Sequence, residues 1–176
     1  MVLVDNGVSR QDAGTWRYRA AILVFAGAAL ALAGAFYFQF VQKLPPCQLC
    51  LIQRWPFYAA LPIAAAAAWA SRRAPAASRL LLALLGLGFL AGAGVAVFHA
   101  GVEWQLWPGL ESCSGSLTVT ANADEFLQRL QNVQIVSCTE AAWRFAGLSL
   151  AGWNVPLSLG LALVAFLGSF GRNRAG

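Results

Sequence analysis

The sequence predicts an all-α membrane protein: an antiparallel bundle of four transmembrane helices, with a long outer loop that carries a short amphipathic surface helix. Hydrophobic residues make up 59% of the 176 residues and charged residues only 11%, against about 25% charged residues in soluble proteins. Apolar stretches of span length recur along the chain, and basic residues gather between them. We therefore treat residues 1–176 as a single integral-membrane domain.

The predicted spans are residues 20–41, 51–70, 80–98 and 148–170. Each is measured against the ~20 residues that a helix needs to cross ~30 Å of hydrocarbon. Gln39 is the one strongly polar side chain of the first span, and the third and fourth spans carry no charge. The second is the weakest, because Arg54 and two prolines interrupt it. Prolines are tolerated in membrane helices, so we predict a span there as well.

The basic residues set the predicted orientation. Eight of the twelve precede the first span, connect the second and third, or follow the fourth: Arg10, Arg17, Arg19, Arg72, Arg73, Arg79, Arg172 and Arg174. Because loops rich in Lys and Arg stay in the cytoplasm, both termini are predicted there, and residues 42–50 and 99–147 form the outer loops. The net charge of +5 follows from this topology and does not indicate a nucleic-acid partner. All four cysteines then lie outside the cytosol, where disulfides persist.

Two further features belong to the third span and the loop after it. Gly88 and Gly92 stand four positions apart in the third span, and in lipid such small residues let helices approach closely. We interpret them as packing within the bundle rather than as a dimer interface.

The outer loop is too long for a simple connection. Apolar residues at helical spacing follow Asn122, a suitable N-cap, and predict the surface helix: Phe126, Leu127, Leu130 and Val133.

The first cysteine pair, Cys47 and Cys50, forms a Cys-x-x-Cys motif directly after two prolines. Proline favours the start of a helix, and the free amides and dipole of a helix N-terminus favour a thiolate. Arg54 follows on the same face, where a guanidinium favours a thiolate and donates hydrogen bonds to a carbonyl ligand. Two other interpretations stay open: Arg54 reaches lipid phosphates, or zinc binds the four cysteines. A purely structural disulfide constrains little in so small a loop, so we favour catalysis.

The second pair, Cys113 and Cys138, lies in the long outer loop. Cys113 stands among small polar residues that an incoming protein can reach. Taken alone, a disulfide between these cysteines is equally well explained as a staple on the loop. Beside a Cys-x-x-Cys motif it indicates thiol–disulfide exchange, in which a thiolate attacks and a mixed disulfide forms. The mobile pair would then take electrons from a partner, and Arg54 at bilayer depth indicates a lipid-soluble acceptor.

His99, the only histidine, stands at the outer end of the third span. One histidine excludes a haem held by two histidines of this chain. Proton movement at the acceptor and a capping role at the membrane interface are both open for His99, and the role of Glu103 is equally open.

Together these residues resemble the disulfide bond formation protein B (DsbB) family. The resemblance covers residues 16–170 and rests on three stretches: Pro46-Cys47-Gln48-Leu49-Cys50 with Arg54, Gln105-Leu106-Trp107-Pro108 before Cys113, and Trp143-Arg144-Phe145 with Gly147-Leu148 after Cys138. It implies a bacterial inner-membrane oxidoreductase that reoxidises a periplasmic DsbA-like thiol oxidase. It further implies that the electrons pass to a membrane quinone, with ubiquinone as the expected acceptor and menaquinone as the other.

The resemblance also implies a role for each site residue. Cys113 forms the mixed disulfide with the DsbA-like partner. Cys138 then engages Cys47, which frees Cys50 as the thiolate beside the quinone. Arg54 holds that quinone. His99 is assigned to the quinone site as well, although it lies two positions before the family's loop histidine when the chain is aligned on Gln105–Pro108. No metal site is predicted.

Two alternatives stay open at this point. A vitamin K epoxide reductase-like enzyme also combines a helical bundle with loop cysteines, but in that family the loop pair precedes the Cys-x-x-Cys motif, and here the order is reversed. A non-enzymatic tetraspan scaffold or metal-binding protein would use the cysteines as staples or ligands. The scaffold hypothesis predicts that Arg54→Ala and Cys50→Ser preserve function, whereas the enzyme hypotheses predict loss of quinone reduction.

Overall fold

The computed structural model describes residues 3–109 and 138–170, with side chains described from residue 13 onward. The elements are helix α1 (Leu3–Phe36), which continues into a π-helical turn (Tyr37–Val41), helices α2 (Gln48–Arg73) and α3 (Pro75–Glu103), strands β1 (Arg144–Phe145) and β2 (Leu148–Ser149), and helix α4 (Leu150–Phe170). The two strands form a small antiparallel hairpin. Cys113 and the predicted surface helix lie outside the described residues.

Local sequence signals explain where α2 and α3 begin. Cys47 is the N-cap of α2, as its place after two prolines predicts, and its sulfur accepts a hydrogen bond from the backbone amide of Cys50. Only Ala74 separates α2 from α3, and Pro75 occupies the first turn of α3, where its missing amide proton costs nothing. A connection this short makes the two helices antiparallel neighbours.

The helices pack in a closed order around one core, with α1 against α2, α2 against α3, α3 against α4 and α4 against α1. Alanine dominates the centre, together with the rings of Phe57 and Phe89, whose centroids lie 5.4 Å apart. In lipid, helices associate through close van der Waals contact, which small side chains allow. The alanine-rich core therefore explains why these helices pack so closely.

Three segments are long and apolar enough to cross a membrane: Ala13–Val41, Pro75–Glu103 and Leu150–Phe170. Helix α2 is not among them, since polar residues lower its mean hydropathy, and its membrane crossing stays a prediction. Residues 99–103 were predicted to lie in the outer loop, and α3 continues through them to Glu103. The helix thus ends five residues beyond the predicted end of the third span, while the position of the membrane boundary stays a prediction. His99 lies in this last part of α3, and its side chain is buried.

The glycine contacts correct one detail of the predicted helix packing. Gly92 faces Pro56 of α2, and a Cβ added at Gly92 would lie 3.1 Å from the proline Cγ. A Cβ added at Gly88, by contrast, would have no neighbour within 4 Å among the described residues. Gly86, close to Gly88 in the sequence, faces the ring of Phe166 on α4. Packing within the bundle thus uses Gly86 and Gly92 rather than the Gly88 and Gly92 pair.

Gly168 gives a test of this packing. A Cβ at Gly168 would lie 2.5 Å from the Cβ of Ala20 on α1, which has no flexible side chain to move aside. We expect Gly168→Val to lower the free energy of unfolding by about 1–3 kcal/mol, the usual cost of overpacking. Thermal unfolding in detergent measures the effect. Gly160→Val on the same helix is the matched control, because no atom in the part of the chain that the structure describes lies within 4 Å of its Cβ position. Equal melting temperatures of the two variants would contradict the packing.

Candidate active site at one end of the bundle

Cys47 and Cys50 form a close pair of free thiols at the start of α2. Their sulfur atoms lie 2.7 Å apart, and the backbone amide of Cys50 donates to the sulfur of Cys47 across 3.2 Å. Cys47 is only 5% exposed, while Cys50 is half-buried. The two thiols are thus joined by hydrogen bonds but differ in accessibility.

Cys138 belongs to the same part of the protein. It is buried and disulfide-bonded, and it packs in one apolar cluster with Cys47, Leu49 and Val102. The sequence places the two cysteine pairs on one face of the membrane. The structure brings Cys138 to the Cys-x-x-Cys pair, while Cys113 lies outside the described residues.

His99 contacts the same thiols from α3. Its side chain is 2% exposed, and its Nε2 lies 3.6 Å from the sulfur of Cys47. A carboxylate oxygen of Glu103, one helical turn further, lies 3.8 Å from the same nitrogen. Of the two roles left open for His99, capping at the membrane interface does not fit a side chain buried against the thiol pair.

A chain of polar side chains extends from His99 across three helices. Ser158 donates to the Oδ1 of Asn154 across 3.3 Å, and the amide nitrogen of Asn154 donates to the Oε1 of Gln53 across 2.6 Å. The amide nitrogen of Gln53 lies 2.6 Å from the Nδ1 of His99, which must accept, because that amide nitrogen only donates. A neutral His99 therefore carries its proton on Nε2, directed at the sulfur of Cys47.

Three residues of this polar chain were not predicted as site residues: Gln53, Asn154 and Ser158. Their signal was their chemistry, since amides and hydroxyls inside apolar helices of a membrane protein usually face the bundle interior and a functional site. Gln53 and Asn154 stand 101 positions apart in the sequence. Only the packing of α4 between α3 and α1 brings them together, and a single sequence does not show that packing.

We expect Gln53→Leu to release His99 from the tautomer that faces Cys47. Without the amide donor at Nδ1, the proton is free to sit on either ring nitrogen, so the thiolate of Cys47 loses part of its hydrogen bonding. The ultraviolet absorbance of the thiolate, followed against pH, should then titrate at a higher pH than in the parent protein. Gln48→Leu at the exposed start of α2 is the control. An unchanged titration would show that Gln53 does not position His99.

Arg54 turns toward α1 rather than toward the thiols. Its guanidinium donates to the Oε1 of Gln39, in the π-helical turn, across 2.6 Å. It also lies 5.6 Å from the centroid of the Phe36 ring. We expected Arg54 to favour a thiolate at Cys50. Among the described residues, however, the ionisable side chain in hydrogen-bonding contact with the thiol pair is His99.

A cavity of about 280 Å³ opens between α1, α2 and α4 beside the thiol pair. Its lining is mostly apolar and includes Leu30, Phe38, Phe57, Leu150 and Leu157. The polar side chains that border it are Cys50, Gln53, Arg54, His99, Asn154 and Gln39. Of the two thiols only Cys50 lines the cavity, so a molecule bound there meets Cys50 first.

The surroundings of Cys47, which precedes α2, favour its ionised form. The hydrogen bond from the Cys50 thiol contributes most, and the contacts from His99 and the Cys50 amide add to it. Burial acts in the opposite direction, but together these effects lower the pKa of Cys47 to about 4. At neutral pH the reduced pair is therefore one thiolate, at Cys47, hydrogen-bonded to one thiol, at Cys50.

These features together suit two-electron transfer. A reduced thiol pair lies between a buried cysteine disulfide and an apolar cavity, so it can take electrons by thiol–disulfide exchange on one side and give them to a small acceptor on the other.

Comparison with known proteins identifies counterparts along nearly the whole chain. The family model described as "Disulfide bond formation protein DsbB" matches residues 17–168. The Disulfide bond formation protein B of Xanthomonas euvesicatoria pv. vesicatoria (strain 85-10) is 30% identical over 163 residues, covering 91% of this chain and 95% of that protein. The proteins of the same name from Azoarcus sp. (strain BH72) and Shewanella sp. (strain MR-4) are each 32% identical, covering 86% and 85% of this chain and 91% and 86% of their own lengths. No solved structure matches the chain.

Proposed function

Because this chain belongs to the family of the disulfide bond formation protein DsbB, we propose that it is a multi-pass membrane disulfide oxidoreductase that reoxidises a DsbA-like thiol oxidase and reduces a membrane quinone. The proposed location is the bacterial inner membrane, with both termini cytoplasmic and the cysteines on the periplasmic side. One observation carries the proposal: a single free thiol of the Cys-x-x-Cys pair borders an apolar cavity, while Cys138 packs behind that pair.

The proposed electron path runs through two exchanges. The thiols of the DsbA-like partner reduce the loop pair, with Cys113 forming the mixed disulfide. Cys138 then attacks Cys47 and releases Cys50, and closure of the loop disulfide leaves both Cys47 and Cys50 reduced. Each exchange breaks one S–S bond and forms another, so two electrons move and none are lost. The packing of Cys138 in one cluster with Cys47 supports the second exchange.

The cavity residues fit a quinone. An apolar lining accepts an isoprenoid tail, and a few convergent polar groups orient a carbonyl-bearing ring, as in small-molecule sites generally. Arg54 supplies hydrogen-bond donors at the cavity wall, and Gln39 holds its guanidinium in place. A bound quinone accepts two electrons and two protons. Ubiquinone is the proposed acceptor, with menaquinone as the other candidate.

The residues of the chain hold the charges that this transfer needs. Cys47 keeps its negative charge through the hydrogen bonds from Cys50 and His99. The Cys47 thiolate and the Cys50 thiol at the cavity would together supply two electrons and one proton as the Cys47–Cys50 disulfide closes, and the second proton would come from water. Gln53 and Asn154 keep the imidazole directed at Cys47 throughout.

The direct test uses the purified protein, a reduced DsbA-like partner and a short-chain ubiquinone. We expect stoichiometric quinone reduction with oxidation of the partner, and a parallel run with a menaquinone analogue ranks the two acceptors. Absence of quinone reduction, with a partner and an acceptor that both work with a known enzyme, would overturn the proposal.

Arg54→Ala tests the quinone site separately from the cysteines. The guanidinium borders the cavity, and its hydrogen bond among the described residues goes to Gln39. Its loss should raise the KM for quinone by about tenfold or more, as expected for a lost charged hydrogen bond. Oxidation of the partner in a single turnover without quinone should be unchanged. Arg72→Ala, at the other end of α2, is the control. An unchanged KM would remove Arg54 from the quinone site.

The two alternatives now stand differently. Membership of the DsbB family leaves the vitamin K epoxide reductase-like hypothesis without support. The scaffold hypothesis conflicts with the same membership, and the Cys50→Ser variant described below tests it directly.

A further inference from the structure

We propose that the reduced Cys-x-x-Cys pair also forms a site for a zinc-class divalent cation, bound by the sulfurs of Cys47 and Cys50, Nε2 of His99 and the carboxylate of Glu103. The site uses the same thiols as the proposed function, and its role would be to hold them reduced and so stop turnover. Its existence, however, depends on the donor atoms and not on quinone chemistry.

Three of the four proposed donor atoms already lie close together. One atom each from Cys47, Cys50 and His99 falls within 4.8 Å of the other two. The sulfur of Cys47 lies 3.6 Å from Nε2 of His99. Zinc–sulfur and zinc–nitrogen bonds of about 2.3 and 2.0 Å in a tetrahedron place neighbouring donors roughly 3.5–3.8 Å apart. The two sulfurs, at 2.7 Å, must move apart, and the cavity beside Cys50 provides the space. The Glu103 carboxylate, which is not one of the three donors within 4.8 Å of one another, must turn toward them to complete the site.

Glu103 provides the second, independent observation. Its side chain is 6% exposed, and its Oε2 is buried without a hydrogen-bond partner among the described residues. Its Oε1 lies 3.8 Å from Nε2 of His99, too far for a hydrogen bond. A buried carboxylate is costly unless it is paired, neutralised or bound to a metal. The proposed electron path gives Glu103 no task, whereas the role of fourth ligand accounts for its position.

The donor set selects the class of cation. Two thiolates, one imidazole and one carboxylate are the ligands that Zn²⁺ takes in four-coordinate sites. Mg²⁺ and Ca²⁺ prefer six or more oxygen ligands and do not suit it. Two thiolates and a carboxylate together carry three negative charges in a site largely shielded from water. A divalent cation would offset most of that charge.

The polar chain behind His99 can support this ligand too. When Nε2 binds a metal, the imidazole proton sits on Nδ1 and needs an acceptor, the arrangement typical of metal-binding histidines. Rotation of the Gln53 amide presents its oxygen to Nδ1, and its nitrogen then donates to Asn154. Rotation of the Asn154 amide in turn directs a donor to the hydroxyl of Ser158, which accepts as readily as it donates. Donors and acceptors thus exchange roles along this chain of polar side chains, and every hydrogen bond is kept.

Binding changes protons and not electrons. The cation displaces the thiol proton of Cys50, which is released to water, and the single imidazole proton of His99 moves from Nε2 to Nδ1, so one proton is released per cation bound. No oxidant or reductant takes part. A Cys47–Cys50 disulfide lacks the two thiolates, so only the reduced pair binds, and a chelator restores the free thiols.

Co²⁺ is the probe that tests the site, because its absorption reports thiolate ligation and tetrahedral geometry directly. Full-length protein in detergent is reduced, freed of metal and titrated with Co²⁺. We expect one equivalent to give a sulfur-to-cobalt charge-transfer band with tetrahedral ligand-field bands, and Zn²⁺ to abolish both. Protein whose Cys47–Cys50 pair has been oxidised to the disulfide with diamide should give neither. The same titration of a Cys113→Ala/Cys138→Ala double variant should give the same bands, which excludes binding by the loop pair.

Variants of the two non-sulfur ligands decide the assignment. Glu103→Gln and His99→Phe should each weaken Co²⁺ binding by about tenfold or more, and Gln53→Leu by a comparable factor as a second-sphere contact. Glu140→Gln, exposed in the other part of the described chain, should not. Absence of charge-transfer bands in reduced protein, or bands insensitive to both Glu103→Gln and His99→Phe, overturns the proposal. Quinone reduction by the same metal-free preparation tests the proposed function independently.

Discussion

The Cys50→Ser variant is expected to lose quinone reduction by about a thousandfold or more, the scale seen when a nucleophile is removed from a catalytic unit. Cys50 is the only one of the two thiols that lines the cavity, and a hydroxyl at this position neither donates the electrons nor forms the disulfide. The reaction with a reduced DsbA-like partner should stop after one equivalent, because the partner still reduces the loop disulfide but the electrons go no further.

The control for this variant is Leu51→Ser, the next residue of α2, which is exposed on the surface of the bundle. Its quinone reduction should be close to that of the parent protein. Sustained quinone reduction by Cys50→Ser would mean that the electrons leave by another route, and preserved biological function would favour the scaffold hypothesis. Stopped-flow absorbance of the quinone, combined with thiol quantification of the partner, separates these outcomes.

The second large effect concerns the charge of Cys47. Its pKa of about 4 means that the reduced protein carries one thiolate per Cys-x-x-Cys pair throughout the neutral range. An unperturbed thiol with a pKa of about 8.5 would be only a few per cent ionised at pH 7. Because the pKa is lowered, the charge is present above that value and disappears as the pH falls through about 4. The thiolate absorbance should therefore stay constant from neutral pH down to the mildly acidic range.

The variants should rank in the order of the interactions that lower this pKa. Cys50→Ala removes the largest one and should raise the titration midpoint most, while His99→Phe should raise it less. Cys47→Ser should abolish the absorbance change altogether, which assigns the signal. A midpoint near that of an ordinary thiol in the parent protein would contradict the hydrogen bonding seen at Cys47. Alkylation rates at several pH values provide a second measurement that does not depend on absorbance.

Much of the architecture could be predicted from the sequence because it depends on local signals. Runs of apolar residues define the helices, two prolines mark the start of α2 at Cys47, and the cysteine spacing carries the family resemblance. The predicted end of the third span at residue 98 gave no sign that α3 continues through Glu103, because a polar His99 suggests the end of a span, although its ring is buried. Hydropathy alone does not distinguish a polar residue at the membrane surface from one inside a bundle.

Only those site residues whose type is unusual in an apolar chain could be predicted from the sequence. The four cysteines and Arg54 indicate a site by residue type alone, but the partners of His99 do not. Gln53 and Asn154 become significant through contacts between helices far apart in the sequence. The direction of the Arg54 guanidinium likewise depends on Gln39, which the π-helical turn presents to it.

The burial of Cys47 bears on which thiols can exchange with it. In the described part of the chain 5% of its surface is exposed, and it packs in one apolar cluster with Cys138, Leu49 and Val102, so its sulfur is less accessible to a freely diffusing thiol than that of the half-buried Cys50. Under the proposed function, Cys47 would therefore exchange with the neighbouring Cys138 rather than with thiols from solution.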